Sequence, residues 1–290
     1  MEVIKKIEEI FCRFTENNYT KIFVSLFDGT LTLLSYIDKN TVELIEYYLK
    51  DYFIFKDNNL YLKENYNTPQ KITEVFGSFA IILQEKGILK IRGENILLQS
   101  NDGRHDFGYV DRSLLHVFGL RANGVHLNAY VEKGGQKYLW ISRRSKTKLH
   151  DPNKLDNLAA GAVSLGFSLR QTLIKEANEE AGIPQSIAEK SSLVKTIAYK
   201  VNKYGGVRND IVHIFEMQLP ENFTPIAIDG EVEEFFLFDA ASIEQMLIEN
   251  FDSFKYNSAL TIMYFLYSHN LIKNSELFNF LQSLFVKMSS

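Results

Sequence analysis

Apolar residues recur at three- and four-residue steps in several segments of the chain, and this spacing predicts helices that bury one face. The first helix is predicted over residues 2–16, and two more over residues 41–53 and 71–87. Gly87 is expected to end the third helix, because glycine readily adopts the left-handed conformation that terminates helices. Three further helices are predicted in the C-terminal segments SIEQMLIENF, SALTIMYFLYSHNLI and SELFNFLQSLFVKM.

Apolar runs beside turn residues predict the strands. The segment KIFVSLFDGTLTLLSYI predicts two strands around the turn pair Asp28-Gly29. The segment ILKIRGENILLQ, residues 88–99, predicts a strand, a turn and a second strand. A hairpin is predicted in GVHLNAYVEKGGQKYLWISRRS, with Gly134-Gly135 at its turn, and later strands in IVHIFEMQL and EEFFLF.

The change in pattern near residue 119 indicates two domains. The polar segment 99–108, or the stretch 109–118 after it, is the best candidate for the boundary. We therefore expect a small α+β domain over residues 1–118, followed by a mixed α/β domain over residues 119–290.

Composition narrows the class of protein. Hydrophobic residues make up 46% of the chain and charged residues 23%, which excludes a disordered chain. The net charge of -4 gives no indication of a nucleic-acid partner. The longest apolar run, ALTIMYFLY, is shorter than the about 20 residues that span a bilayer, so we expect no membrane partner. The single cysteine, Cys12, excludes an internal disulfide and favours a cytoplasmic location.

Three glutamates crowd one side of a helix predicted over residues 169–181, with Ser168 as N-cap and Gly182 at its end. They are Glu176, Glu179 and Glu180. One interpretation is a solvated acidic face, in which like charges cost only a few tenths of a kcal/mol. The other is a divalent-cation site, since Mg²⁺ prefers carboxylate oxygens. The glycines on both sides of the helix favour the cation site.

The frame GAVSLGFSLRQTLIKEANEEAGI, residues 161–183, resembles the Nudix box, G-x5-E-x7-R-E-U-x-E-E-x-G-U, with U an apolar residue. The glycines and all three helix glutamates match. Two positions depart: Phe167 replaces the first glutamate and Lys175 the arginine. In the family these two positions support the loop and do not bind metal. The resemblance therefore implies that the metal ligands are intact, but it does not define the geometry of the loop. Lysine lacks the planar bidentate contact of arginine.

The resemblance extends beyond the box. Residues 118–131, 140–161 and 221–238 resemble the Nudix subgroup related to thiamine pyrophosphokinase, whose members carry an N-terminal domain of unassigned function. It implies a Nudix α/β/α sandwich with a mixed sheet over residues 119–290. The aromatic-rich helices of the first domain are expected to cover the active site, to form a homodimer or to bind the organic half of a substrate.

The resemblance also implies an activity. It implies a pyrophosphatase that uses Mg²⁺, or Mn²⁺, to hydrolyse a small-molecule diphosphate, most specifically thiamine diphosphate or its oxidised analogues, to the monophosphate and phosphate. The implied metal ligands are Glu176, Glu179, Glu180 and the carbonyl of Ala160. The implied catalytic candidates are Glu176, Glu179, Glu231 and Glu233. The general base would be Glu176 or one of the pair in DGEVEEF.

A basic run precedes the box and is either a solvated loop or a phosphate clamp. Arg144 and Lys148 are the clamp candidates, because charged forks and ammonium groups match phosphate oxygens. Arg208 and Asp210 are candidate substrate contacts, with a turn and a surface ion pair as the alternative.

Two other functions stay open at this point. One is a Nudix hydrolase of ADP-ribose, a dinucleotide or a nucleoside triphosphate, with which the box is equally compatible. The other is a catalytically degenerate Nudix domain that binds a ligand, which Phe167 and Lys175 suggest.

Overall fold

The computed structural model describes residues 1–26 and 28–288. Its helices are α1 (Glu2–Phe11), α2 (Lys39–Tyr48), α3 (Pro69–Glu85), α4 (Leu169–Ala181), α5 (Gln185–Ala188), α6 (Ala240–Glu249), α7 (Tyr256–Ser268) and α8 (Ser275–Lys287). The strands of the first half are β1 (Thr20–Ser25), β2 (Leu31–Ile37), β3 (Phe53–Lys56), β4 (Asn59–Leu62), β5 (Asn95–Gln99) and β6 (Asp106–Asp111). Those of the second half are β7 (Arg121–Lys133), β8 (Gln136–Arg144), β9 (Leu155–Asn157), β10 (Ala159–Ala162), β11 (Ser192–Lys203), β12 (Gly206–Gln218) and β13 (Val232–Asp239).

The first half contains a four-stranded sheet in the order β2-β1-β4-β3 and a separate hairpin of β5 and β6. The strands predicted around Asp28-Gly29 are confirmed as the antiparallel pair β1 and β2, although position 27 between them lies outside the described residues. The buried faces of α2 and α3 share one apolar core with both sheets, and Phe76 and Phe79 of α3 pack edge-on against Phe118.

The second half is built on a seven-stranded mixed sheet in which β11-β12-β7-β8-β13 form the path, with β10 paired to β7 and β9 to β8. Strands β7 and β12 run parallel, and the other pairs are antiparallel. One core lies between this sheet and α4, and another lies between the sheet and α6, α7 and α8. The predicted helix–sheet–helix sandwich with a mixed sheet is confirmed.

The first helix does not pack with the segments that follow it in sequence. Val3, Ile7 and Phe11 of α1 are buried in the same core as Ile197 of β11 and Leu247 of α6. The helix ends at Phe11, before the predicted residue 16. The domain boundary between residues 118 and 119 stays a prediction. Helix α1 precedes this boundary in sequence but packs against elements that follow it.

Two expectations for the first half are wrong. Residues 88–94 form a loop instead of a strand, because Gln84 and Asp111 side chains accept the backbone N–H groups of Ile91, Arg92 and Gly93. Strand β5 therefore pairs with β6. The helix predicted over residues 41–53 is α2, which the Asp38 side chain caps at its start and which ends at Tyr48, so that residues 53–56 pair with β4.

None of the helices among the described residues is long and apolar enough to cross a bilayer.

Candidate active site

Helix α4 places the three glutamates, and its limits are those that the sequence predicts. The Ser168 hydroxyl accepts the backbone N–H of Gln171, whose side chain accepts the backbone N–H of Ser168, a capping box. At the other end Gly182 adopts φ +66° and closes the helix in the left-handed conformation. Leu173 and Ala177 are fully buried against the sheet, which fixes the rotation of the helix about its axis.

Glu176 lies directly over strand β10. A Cβ on Gly161 would come within 2.6 Å of Oε1 of Glu176, closer than any real Cβ contact. The first glycine of the box is therefore required because the Glu176 carboxylate occupies the space that a side chain would need.

The carboxylates of Glu176 and Glu179 both form ion pairs with the ammonium group of Lys175. The Lys175 ammonium lies 3.2 Å from Oε1 of Glu176 and 2.6 Å from Oε2 of Glu179. Burial raises the pKa of the Glu176 carboxyl, and the charge of Lys175 acts against that rise. Lys175 thus bridges two helix carboxylates from its own helix.

Glu180 is in a different environment. It is 6% exposed, and its Oε2 accepts the backbone N–H of Ala160 at 2.8 Å. Burial and then the charge of Asp156 raise the pKa of Glu180 to about 8. A neighbouring cation would favour the ionised form of this buried carboxyl group.

The donor set fits a hard divalent cation. Among residues 1–26 and 28–288, no three His, Cys, Asp or Glu side chains form a preassembled metal cluster. However, the half-exposed ammonium of Lys175 already places a positive charge between two of the three carboxylates. Carboxylate oxygens are the ligands that Mg²⁺ prefers.

Glu176 opens onto a cavity of about 450 Å³ between the two halves of the chain. Lys148 lies in the loop after β8 and Glu231 immediately precedes β13, and the two form an ion pair on the wall of the cavity. Glu233 is not among the lining residues, because its carboxylate accepts the backbone N–H of Lys146 at 3.0 Å. Of the two later glutamates, the fold brings only Glu231 to the cavity. A second, more open concavity of about 700 Å³ lies beside α2 and contains none of the box residues.

Comparison with known proteins decides the family. Residues 122–258 match the NUDIX domain family model. Nudix hydrolase 20, chloroplastic, of Arabidopsis thaliana is 34% identical over 256 residues, covering 83% of this chain and 67% of that protein. The chain belongs to the Nudix hydrolase family. It is therefore an enzyme that hydrolyses diphosphate bonds.

Other proteins are similar to this Nudix hydrolase. Nudix hydrolase 24, chloroplastic, of Arabidopsis thaliana is 33% identical over 248 residues, covering 83% of this chain and 66% of that protein. The chain thus spans about two thirds of the length of these relatives. The crystal structure of DR0079 from Deinococcus radiodurans covers 59% of this chain and 98% of its own, with 20% identity and a TM-score of 0.46.

Arg208 and Asp210 of the Nudix domain line the cavity as an ion pair. Nη2 of Arg208 lies 2.9 Å from Oδ1 of Asp210. Asp210 is only 5% exposed and also accepts the hydroxyl groups of Tyr199 and Tyr256. The pair is therefore built into the wall of the cavity, and the alternative of an exposed surface pair is wrong. A substrate contact for either residue stays a prediction.

The two clamp candidates differ in how they are held. The guanidinium of Arg144 donates to a carboxylate oxygen of Asp156 at 2.7 Å and to the carbonyls of His150 and Asp151. These bonds stabilise the loop after β8. They occupy the guanidinium N–H groups that would otherwise donate to a phosphate. Lys148 keeps its ammonium on the cavity wall beside Glu231.

The first half of the chain also contributes side chains to the cavity that the sequence did not predict. Arg92 reaches the cavity from the loop before β5, and Arg112 and His116 reach it from the segment between β6 and β7. Burial, and then the charge of Arg208, lowers the pKa of His116 to about 4, so its ring is neutral at pH 7. No sequence motif marks these residues, because only the tertiary fold brings them close to helix α4.

Proposed function

We propose that this Nudix enzyme uses Mg²⁺, or Mn²⁺, to hydrolyse a diphosphate joined to an organic group. The observation that carries the proposal is the cavity itself, which Glu176 and Glu231 line together with Lys148 and Arg208. The carboxylates that line the cavity suit a hard cation, and its cationic side chains suit phosphate oxygens. Glu176, Glu179, Glu180 and the carbonyl of Ala160 are the proposed ligands. What a divalent cation supplies there is neutralisation of the phosphoryl charge and acidification of water.

The remaining steps belong to the chain's own groups. Glu231 or Glu176 accepts a proton from the water that attacks phosphorus, since both carboxylates line the cavity. Lys148 and Arg208 offset the charge that spreads over the phosphoryl oxygens in the transition state. Glu179 is the most exposed of the three helix glutamates and would help to hold the cation.

The aromatic side chains of the cavity support a substrate with a planar ring. His150 stacks on Tyr204 with ring centroids 4.3 Å apart, and Tyr256 lines the same wall. Aromatic faces of this kind bind flat heterocycles by stacking. Thiamine diphosphate and its oxidised analogues carry such rings, and the resemblance to the thiamine pyrophosphokinase-related subgroup makes them our first candidates.

Product analysis of the pure protein with Mg²⁺ tests the substrate. The panel contains thiamine diphosphate, its oxidised analogues, ADP-ribose, NADH and nucleoside triphosphates. We expect a thiamine-type monophosphate and phosphate as the dominant products. Preferred turnover of ADP-ribose or a nucleotide would keep the chemistry and reject the thiamine substrate.

A Glu179→Gln variant distinguishes the enzyme from a ligand-binding module. We expect it to lose orders of magnitude in rate while it stays folded. Absence of turnover across the panel, with ligand binding retained, would favour the degenerate module.

The cytoplasmic location also stays a prediction, and the two Arabidopsis relatives are named chloroplastic.

A further inference from the structure

The loop between β10 and α4 lacks the glutamate that the family pattern places at position 167. Phe167 is 47% exposed there, and an apolar ring makes no ion pair. Yet this loop carries the chain from Gly161, beneath Glu176, to the cap of the glutamate helix. Its geometry must come from other contacts.

The backbone N–H of Val163 bonds to the carbonyl of Asn123 in β7, and two further contacts come from the first half of the chain. Oε1 of Glu94 accepts the hydroxyl of Ser164 at 2.7 Å, in the middle of the loop. The next residue of the loop, Leu165, donates its backbone N–H to the carbonyl of Asn95 at 2.7 Å. Two adjacent residues of the loop are thus tied to two adjacent residues of the segment that enters β5.

Glu94 is itself held by Arg112. Its Oε2 lies 2.8 Å from Nη1 of Arg112, and its carbonyl accepts the backbone N–H of Arg112 at 2.8 Å. Burial opposes ionisation of Glu94, but the charge and hydrogen bond of Arg112 and the bond from Ser164 lower its pKa below the ordinary value. Glu94 is therefore a carboxylate at neutral pH, with both oxygens in use.

Arg112 connects this arrangement to the chemistry. It lines the cavity together with Glu176, and its charge acts on the Glu176 carboxyl. One ion pair of the first half thus contacts the loop on one side and faces the glutamate helix on the other.

We infer that Glu94, fixed by Arg112, positions the loop of residues 163–168 in place of the glutamate that Phe167 replaces. Glu94 is a positioning residue and touches neither cation nor substrate. The first half of the chain is then a required part of the active site. The inference rests on the proposed metal-dependent hydrolysis for its effect on rate.

A Glu94→Ala variant tests the inference by metal affinity and by loop protection. The affinity for Mn²⁺, measured by electron paramagnetic resonance, should fall about 10- to 100-fold. This is the usual effect of losing a group that orients metal ligands. Amide hydrogen exchange of residues 163–168 should accelerate, and kcat should fall while KM changes little. Glu43→Ala is the matched control, because Glu43 makes only a loose 3.8 Å pair with Lys39 on α2.

A second variant separates positioning from general damage to the fold. Adding Phe167→Glu to Glu94→Ala restores a carboxylate to the loop and should recover part of the metal affinity and of the rate. The inference is overturned if Glu94→Ala matches Glu43→Ala in Mn²⁺ affinity and loop exchange, or if its losses only track unfolding. Loop exchange alone decides the matter if the wild-type protein binds no Mn²⁺ and hydrolyses nothing, a result that would reject the proposed function separately.

Discussion

Gly161 and Glu176 are in direct steric contact, since a Cβ at residue 161 would lie 2.6 Å from Oε1 of the glutamate. The carboxylate therefore lies between strand β10 and the cavity. This contact relates the first glycine of the box to its first helix glutamate in three dimensions, across 15 positions of sequence.

Replacement of Gly161 by alanine should therefore displace the Glu176 carboxylate. We expect Gly161→Ala to lower kcat at least about tenfold, because a misplaced catalytic group of this kind costs one to two orders of magnitude. Steady-state kinetics measure the effect. Gly77→Ala is the control, because a Cβ there meets nothing within 4 Å and alanine is favoured inside α3. Equal rates for the two variants would contradict the contact.

Lys175 should compete with a cation for the carboxylates that it bridges. Replacing it by methionine, Lys175→Met, removes the positive charge between Glu176 and Glu179 and keeps the length of the side chain. We expect the Mn²⁺ dissociation constant to fall about two- to fivefold, the size expected for a half-exposed ion pair. Titration of Mn²⁺ measures it, and weaker binding would show that Lys175 supports the site instead of competing.

Glu231, immediately before β13, and Glu233, within β13, provide a matched pair. Glu231 lines the cavity, whereas Glu233 is bonded to the backbone N–H of Lys146 outside it. If Glu231 is the general base, Glu231→Gln should lower kcat by roughly 10²- to 10⁴-fold. Glu233→Gln should change it less than about threefold. The reverse order would reject Glu231, and two mild effects would leave Glu176 as the base.

Stability should fall in mild acid because His213 is held neutral. Its Nε2 lies 3.0 Å from Oδ1 of Asn123 and its Nδ1 3.1 Å from the hydroxyl of Thr196, which suits a neutral ring. Burial and then the charge of Arg121 lower the pKa of His213 from 6.5 to about 4. Between these values the unfolded chain binds a proton that the folded chain does not, so stability is present above pH 6.5 and is lost as the pH falls toward 4.

The size of this effect is on the order of 2 kcal/mol for His213 alone. Urea unfolding at pH 7 and pH 4.5 measures it for the wild-type protein and for His213→Gln. The variant should lose less stability between the two pH values. His105→Gln, a change in the loop before β6, should keep the wild-type difference.

The sequence predicted the parts of the site whose determinants are local. Helix α4 starts at Ser168 and stops at Gly182 because capping bonds form between residues three or four apart. Other parts depend on contacts between residues far apart in the chain. Helix α1 packs against β11, and Arg112 lines the cavity beside Glu176 of α4. The alternation of apolar residues over 88–94 predicts a strand, but the segment forms a loop because Asp111, far away in sequence, accepts the backbone N–H groups of Arg92 and Gly93.

We propose that the glutamates of α4 hold a divalent cation for diphosphate hydrolysis. The decisive measurement is phosphate release from the best substrate of the panel as a function of Mg²⁺ concentration, for the wild-type protein and for Glu180→Gln. Glutamine at this position keeps an oxygen for the backbone N–H of Ala160 and removes the charge. We predict no release without Mg²⁺, saturable activation of the wild type, and a loss of at least about 100-fold in the variant. Release that does not depend on Mg²⁺, or that survives in Glu180→Gln at the wild-type rate, would contradict the claim.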